Sequence, residues 1–331
     1  MSQTVNPISQ AMPLVVVTRR LPEPTEREMS ALFNVRLNGD DQPMDSARLT
    51  AALEGADILV PTVTDRIGKD ILEAAGPRLK LIANFGVGFN HIDITAAKAR
   101  GIAVTNTPGV LTDATADIAM TLILMVTRRA LEGAMVIETD RFTGWCPTWM
   151  MGVGLRGRKL GIIGMGRIGE AVARRSRAFG LEIHYHSRTR VRAALEQELA
   201  ATYWPELDTM LAEMDIVSIN CPYNPSTYHL FSAERLERMK SSSFLVNTAR
   251  GEIVDEAALA GALASGRLAG AGLDVFEHEP KVEPKLLTLK NAVLLPHLGS
   301  STIEARTGMG KKVIANIAAF IAGKSLPDRV V

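Results

Sequence analysis

Apolar residues in this chain fall in short runs, and stretches with helical spacing lie between them. The runs PLVVV (13–17), ADILVP (56–61), LKLIANF (79–85) and IAVTN (102–106) predict strands. A second series begins at residue 159, with KLGII (159–163), LEIHYH (181–186), DIVSIN (215–220), SFLVNTA (243–249), GAGLDV (270–275) and AVLLP (292–296). The spacing predicts helices over 112–129, where Thr112 or Asp113 would cap, over 167–179, and over 302–322, where Val313, Ile314, Ile317, Phe320 and Ile321 supply the apolar stripe. A segment containing Gly144, Trp145, Pro147, Gly152 and Gly154 reads as a surface loop, and the polar residues 1–11 as poorly ordered. Strands alternating with helices predict parallel sheets covered by helices on both faces. Two such series predict two doubly wound α/β domains, the second inserted into the first.

Composition narrows the partners. Of 331 residues, 47% are hydrophobic and 22% charged, as in a globular chain with a real core. A net charge of +1 points neither to nucleic acid nor to an acidic membrane surface, and no apolar run is long enough to cross a bilayer. Two cysteines, Cys146 and Cys221, form no CxxC pair, which fits a reducing compartment. The first residues carry no basic-then-apolar leader pattern, so a cytoplasmic location is expected.

Gly164-Met165-Gly166-Arg167-Ile168-Gly169 is a GxGxxG run. Alone it says little, but here it follows a predicted strand and opens a predicted helix, the context a dinucleotide fold requires. Gly164 permits the tight turn, Gly166 lets a pyrophosphate approach the backbone, and Gly169 lets helix and strand pack closely. The helix start offers free N–H groups and a partial positive charge. An NAD-selective site places Asp or Glu roughly twenty residues onward, on the ribose 2′-hydroxyl. Here the strand runs into His186-Ser187-Arg188-Thr189-Arg190, without an acid. Ser187, Arg188 and Thr189 suit a 2′-phosphate, and Arg188 can stack on adenine, so NADP(H) is expected to be preferred, with NAD(H) possible. Arg190 is a weaker candidate.

Three residues follow predicted strands further on. Arg250 lies in NTARG (247–251), Glu279 in LDVFEHEP (273–280) and His297 in LPHLG (295–299). Ligands of open α/β sheets sit at such strand ends. Reduction of a 2-keto acid needs a cation for the carboxylate, an acid for the emerging alkoxide, and a group that keeps that acid charged. A guanidinium grips a carboxylate with paired bonds, which suits Arg250. Imidazole titrates near neutrality, which suits His297, and a neighbouring carboxylate favours imidazolium, which suits Glu279.

Together with GVGFNHID (86–93), VLTDATADIA (110–119), NTARGEIVDEAAL (247–259), AGLDVFEHEP (271–280) and PHLGS (296–300), these segments resemble the D-isomer-specific 2-hydroxyacid dehydrogenase family. Within it they most resemble the glyoxylate/hydroxypyruvate reductase branch. The resemblance covers nearly the whole chain after Met12. It implies a Rossmann nucleotide domain at 107–297, inserted into a flavodoxin-like substrate domain at 1–106 and 298–331, with the active site in a cleft that closes and excludes water.

The resemblance also implies roles for particular residues. Arg250 would bind substrate, and Glu279 and His297 would form the acid–base pair. Asp274 would bond the nicotinamide carboxamide. The N–H groups of Val87 and Gly88 would hold the substrate carboxylate. Thr112, Thr248, Ala249 and Gly299 would lie along the cofactor. It further implies a homodimer built partly on 112–155, in which Trp145 or Trp149 either reaches the neighbour's pocket or is buried in its own interface. Asn90-His91 departs from many members, and His91 is expected to be structural.

No metal is expected. His184 and His186 share a strand face but have no third ligand nearby in sequence. His278 is expected at a helix start, His229 on ordinary surface, and Met150 and Met151 in an interface or pocket wall. The expected reaction is NADPH-dependent reduction of glyoxylate to glycolate and of hydroxypyruvate to D-glycerate. Its alternatives are a phosphoglycerate dehydrogenase, which the short stretch after the last helix weighs against, a broad 2-ketoacid reductase, and a non-enzymatic NAD(H)-sensing corepressor, which the Arg–Glu–His set argues against.

Overall fold

The computed structural model describes residues 12–331, so the expectation for residues 1–11 lies outside the described residues. The chain divides into two compact units. One runs up to Val110 and resumes from Ile303 to Val331, and the other is Leu111–Thr302.

In the first unit, β1 (Leu14–Val17), β2 (Asn34–Arg36), β3 (Ile58–Val60), β4 (Leu81–Ala83) and β5 (Ala103–Thr105) form a parallel sheet of order β2-β1-β3-β4-β5. This is the flavodoxin-like order. The central strands are buried, apart from the half-buried Leu14 that opens β1, as LVVV, ILV and LIA with helices on both faces should be. The edge of β5 is closed by the C-terminal tail, where Val330 N donates to Val104 O at 2.7 Å. The C-terminal helix Ile303–Ile321 also belongs to this unit, burying Val313, Ile314 and Ile317.

In the second unit, β6 (Lys159–Ile163), β7 (Glu182–His186), β8 (Thr202–Tyr203), β9 (Ile216–Ile219), β10 (Phe244–Asn247), β11 (Gly270–Leu273) and β12 (Ala292–Leu294) form a seven-stranded sheet. All pairs are parallel, in the order β12-β11-β10-β9-β6-β7-β8. Strand order reverses between β6 and β9, the switch point of a doubly wound sheet. The helix Thr112–Thr127 lies over β11 and β10. An added Cβ at Gly270 or Gly272 would come within 2.9 Å of Val126 or Leu122, so glycine lets this helix settle on the sheet.

Several details depart from the sequence-based expectations. Strands β2 and β8 were not anticipated, because they are short edge strands with mostly exposed side chains. The helix Ala130–Glu138 was likewise not anticipated. Neither Thr112 nor Asp113 caps the helix they open. Leu111 holds the cap position without a side-chain bond, and Asp113 instead pairs with Arg175 at 2.9 Å. The expected joints were 106/107 and 297/298, whereas the units meet at 110/111 and 302/303. Residues 298 and 299 stay with the second unit because their N–H groups bond Asp274. Residues 139–158 contain no helix or strand, and among the described residues no helix is long and apolar enough to cross a membrane.

Candidate active site

The glycine run turns at the switch point, directly after β6. Gly164 has φ +91°, a conformation side chains avoid, and an added Cβ there would lie 2.7 Å from Cys221 N. A Cβ at Gly169 would strike Gly164 O, whereas at Gly166 it would meet nothing within 4 Å. The turn is thus tight on its inner side and open at Gly166. The helix Arg167–Ala178 that follows has no side-chain cap. Its first-turn N–H groups have no intrahelical acceptors, and they lie at the positive end of a three-turn dipole. An open glycine before an uncapped helix start fits the pyrophosphate of a dinucleotide.

After β7, Ser187 is tied back to this loop, its Oγ accepting Met165 N–H at 2.7 Å. The Ser187 hydroxyl hydrogen remains to be donated elsewhere. Arg188 and Thr189 are exposed, and Arg188 makes no ion pair among the described residues. Arg190 is engaged instead by Glu196, with Nε and Nη2 each donating at 2.8 Å. Glu196 also accepts Tyr185 Oη at 2.6 Å. Arg190 first, then Tyr185, hold the Glu196 carboxyl down at about 2, while burial pushes the Tyr185 phenol up to about 12. This clamp fixes the far end of the 187–191 turn, where Val191 N donates to Tyr185 Oη at 3.1 Å.

Two polar side chains lie at the ends of β9 and β10. Asn220 Oδ1 and Thr248 Oγ1 are buried without hydrogen-bond partners among the described residues. Buried polar atoms are almost always paired, so two orphans here are consistent with a polar ligand. Asn247 orders the next turn, with Nδ2 donating to Arg250 O at 2.8 Å and Oδ1 accepting Ala249 N at 3.0 Å. Arg250 donates from Nη1 to Ala249 O at 2.7 Å. Burial pulls its pKa down, against the pull of Glu252 and Glu279. At Gly251 an added Cβ would overlap the Phe276–Glu277 backbone, so glycine brings the arginine turn against the glutamate turn. Gly251→Ala is therefore expected to destabilise the fold by at least about 1–3 kcal/mol, read as a lowered thermal midpoint.

Glu279 and His297 meet directly. His297 Nδ1 lies 2.9 Å from Glu279 Oε2, and Glu279 Oε1 accepts Phe276 N at 3.0 Å, so both carboxylate oxygens are oriented. Burial works to raise the Glu279 carboxyl, but the bond and charge of His297, with Arg250 beyond, bring it below its ordinary value. His297 is held at φ +56°, a left-handed conformation that costs a side-chain-bearing residue about 1–3 kcal/mol and persists only where surroundings enforce it. Asp274 does the enforcing. It is 0% exposed. Its backbone carbonyl accepts His297 N at 2.8 Å, and its carboxylate accepts Leu298 N and Gly299 N at 2.7 Å each. Thr115 Oγ1 adds a bond to Gly299 O at 3.0 Å. The residue expected on the nicotinamide carboxamide thus has a visible task as anchor of the histidine turn. Glu256, likewise buried, accepts Glu277 N at 2.6 Å and Glu283 N at 3.3 Å, bracketing the turn that carries Glu279.

In the first unit, Val87 and Gly88 follow β4 in a loop ordered by Asn84 and Asn106. His91 bonds Asn84 there, its Nε2 3.0 Å from Oδ1. Thr112 is half-buried at the start of its helix.

The remaining histidines differ from expectation in two cases. His278 sits in a turn bridged to Lys281, not at a helix start. His229 is half-buried rather than ordinary surface, 2.7 Å from Glu277 Oε1 and stacked on Tyr228. His184 Nδ1 accepts the Trp204 indole N–H at 3.1 Å, and no cluster of three metal-ligating side chains occurs among the described residues. Trp145 is 84% and Trp149 43% exposed, the latter stacked with Phe142. Met151 lines a cavity of about 350 Å³ beside Val126 and Phe244.

Residues 120–299 match the family described as D-isomer specific 2-hydroxyacid dehydrogenase, NAD binding domain. The chain is 44% identical to a glyoxylate reductase of Thermococcus litoralis over 96% of each chain. A solved D-isomer-specific 2-hydroxyacid dehydrogenase from a Polaromonas species, described as NAD-binding, superposes with a TM-score of 0.90 at 38% identity, covering 97% of this chain and 100% of that one. An NADPH-dependent glyoxylate/hydroxypyruvate reductase from Sinorhizobium meliloti, solved with NADP and malonate, gives 0.87 at 34%, covering 97% of each. A parallel sheet with a glycine turn at its switch point, a His–Glu pair at its strand ends and this degree of likeness lead to one conclusion: the chain belongs to the D-isomer-specific 2-hydroxyacid dehydrogenases, nicotinamide-dependent enzymes acting on small 2-keto and 2-hydroxy acids.

Proposed function

We propose that this enzyme is an NADPH-preferring reductase of glyoxylate and hydroxypyruvate, giving glycolate and D-glycerate. The carrying observation is the 2.9 Å His297–Glu279 pair, with Arg250 close enough to act on Glu279. A bound nicotinamide supplies the hydride. Arg250 and the N–H groups of Val87 and Gly88 hold the substrate carboxylate. His297 donates its proton from Nε2 to the carbonyl oxygen, because Nδ1 is committed to Glu279, whose carboxylate fixes the orientation of the ring. Thr112, Thr248, Ala249 and Gly299 line the cofactor, and Asp274 keeps one acceptor position per oxygen for its carboxamide. The nucleotide-binding role falls to the second unit and the substrate-binding role to the first. The T. litoralis and S. meliloti relatives carry names for these reactions, which favours glyoxylate and hydroxypyruvate over phosphoglycerate. The same reading takes the enzyme as a cytoplasmic homodimer without nucleic-acid or membrane partners. The test is loss of NADPH absorbance on addition of glyoxylate or hydroxypyruvate. Absence of turnover with both would refute it.

Cofactor preference follows from the turn after β7. Ser187, Arg188 and Thr189 supply donors and a cation for a 2′-phosphate, whereas Arg190 is spent on Glu196. The enzyme is expected to show a higher kcat/KM with NADPH than with NADH. Arg188→Ala should cut this advantage by about tenfold or more, the scale of one charge-assisted bond to phosphate. A wild-type advantage for NADH would reverse the assignment.

A further inference from the structure

The loop that presents Val87 and Gly88 is held by its carbonyl groups. Asn84 Nδ2 donates to Gly86 O and to Gly88 O, both at 3.0 Å, and Thr107 N adds a bond to Gly86 O at 3.1 Å. Asn106 Nδ2 donates to Val87 O at 2.9 Å. In a trans peptide the carbonyl of one residue and the N–H of the next share a plane and point in opposite directions. Pinning Gly86 O therefore aims the Val87 N–H, and pinning Val87 O aims the Gly88 N–H. Neither N–H has an acceptor among the described residues.

Asn84 is 0% exposed, and both its amide hydrogens go to carbonyls, so its Oδ1 must be the atom facing His91 Nε2 at 3.0 Å. An amide turned the other way would set its oxygen against two carbonyl oxygens. His91 Nε2 must then carry hydrogen, and the contact selects the one orientation of Asn84 that works.

We propose that Asn84 and Asn106, with His91 orienting Asn84, are positioning residues that aim the Val87 and Gly88 N–H groups at the substrate carboxylate. This rests on the reading of those two N–H groups as carboxylate ligands. Removing the orienting donor weakens binding of the carboxylate in ground state and transition state alike, so it raises KM and spares kcat.

The experiment compares wild type with His91→Leu, His91→Gln and Asn84→Ala, each saturated with NADPH. Glyoxylate kinetics, oxalate affinity by calorimetry and deuterium uptake of the 84–91 segment are measured. His91→Leu and Asn84→Ala are expected to raise the glyoxylate KM and the oxalate Kd by about tenfold, with kcat and the NADPH KM little changed. His91→Gln, whose side-chain amide can replace Nε2 as donor, should recover most of the loss, which separates positioning from general damage. Unchanged KM and oxalate affinity in His91→Leu overturn the proposal. A wild type that neither binds oxalate nor reduces glyoxylate refutes the carboxylate reading instead. Deuterium uptake then decides the pinning: faster uptake in His91→Leu, restored in His91→Gln, supports it, and unaltered uptake overturns it.

Discussion

Replacing His297 with alanine is expected to lower kcat by about 10²–10⁴, the usual range for loss of a general acid, while the KM for NADPH stays near its wild-type value. The carbonyl oxygen gains negative charge as hydride arrives, and only a positioned proton donor relieves it at neutral pH. The His297 ring is well placed for this, because Nδ1 is bound to Glu279, Nε2 has no hydrogen-bond partner among the described residues, and the backbone is held at φ +56° by Asp274. His297→Gln is expected to behave like the alanine variant, since an amide can donate a hydrogen bond but cannot release a proton. Glu279→Gln should cost less, because a side-chain amide oxygen can still accept from Nδ1 and keep the ring oriented. The measurement is kcat across pH with saturating NADPH. A His297→Ala enzyme with near-wild-type kcat would remove this residue from the proton-transfer role.

The reach of the sequence differs between strands and site. Runs such as KLGII and LVVV announced β6 and β1 because buried parallel strands are apolar on both faces, and the structure places β6 at the same residues, Lys159–Ile163. β2, with the sequence Asn-Val-Arg, carries no such signal, because an edge strand owes its existence to its neighbour. The glycine turn and the His–Glu pair were legible because they lie just beyond predicted strand ends, where the ligands of an open α/β sheet sit. The supports were not. Thr115 meets Gly299 across 184 residues, and Glu256 holds the Glu277 backbone from a helix start. Asn84 looked like the tail of a strand. Asp274 was legible as important, but its visible work is to fix the turn beyond β12, which no local pattern encodes. Side chains that act through a distant backbone leave no spacing in the sequence to read.

Arg250→Ala is expected to lower kcat/KM by about 10²–10³ or more, the scale for stripping the partner from a buried charged hydrogen bond. Two losses combine. The substrate carboxylate loses its guanidinium, which raises the KM for glyoxylate. Arg250 also helps hold the Glu279 carboxyl low, against burial, so its removal weakens the anion that supports His297, and kcat should fall as well. Arg250→Lys keeps the charge but not the planar fork, and should recover only part of the activity. The same coupling predicts a double-mutant cycle in which Arg250→Ala and Glu279→Gln together cost less than the sum of their separate effects, because the arginine has less to support once the carboxylate is gone. The measurements are KM and kcat for glyoxylate in the four enzymes of that cycle. Strict additivity would mean that Arg250 acts on substrate alone, and an unchanged glyoxylate KM in Arg250→Ala would mean that the carboxylate is held elsewhere.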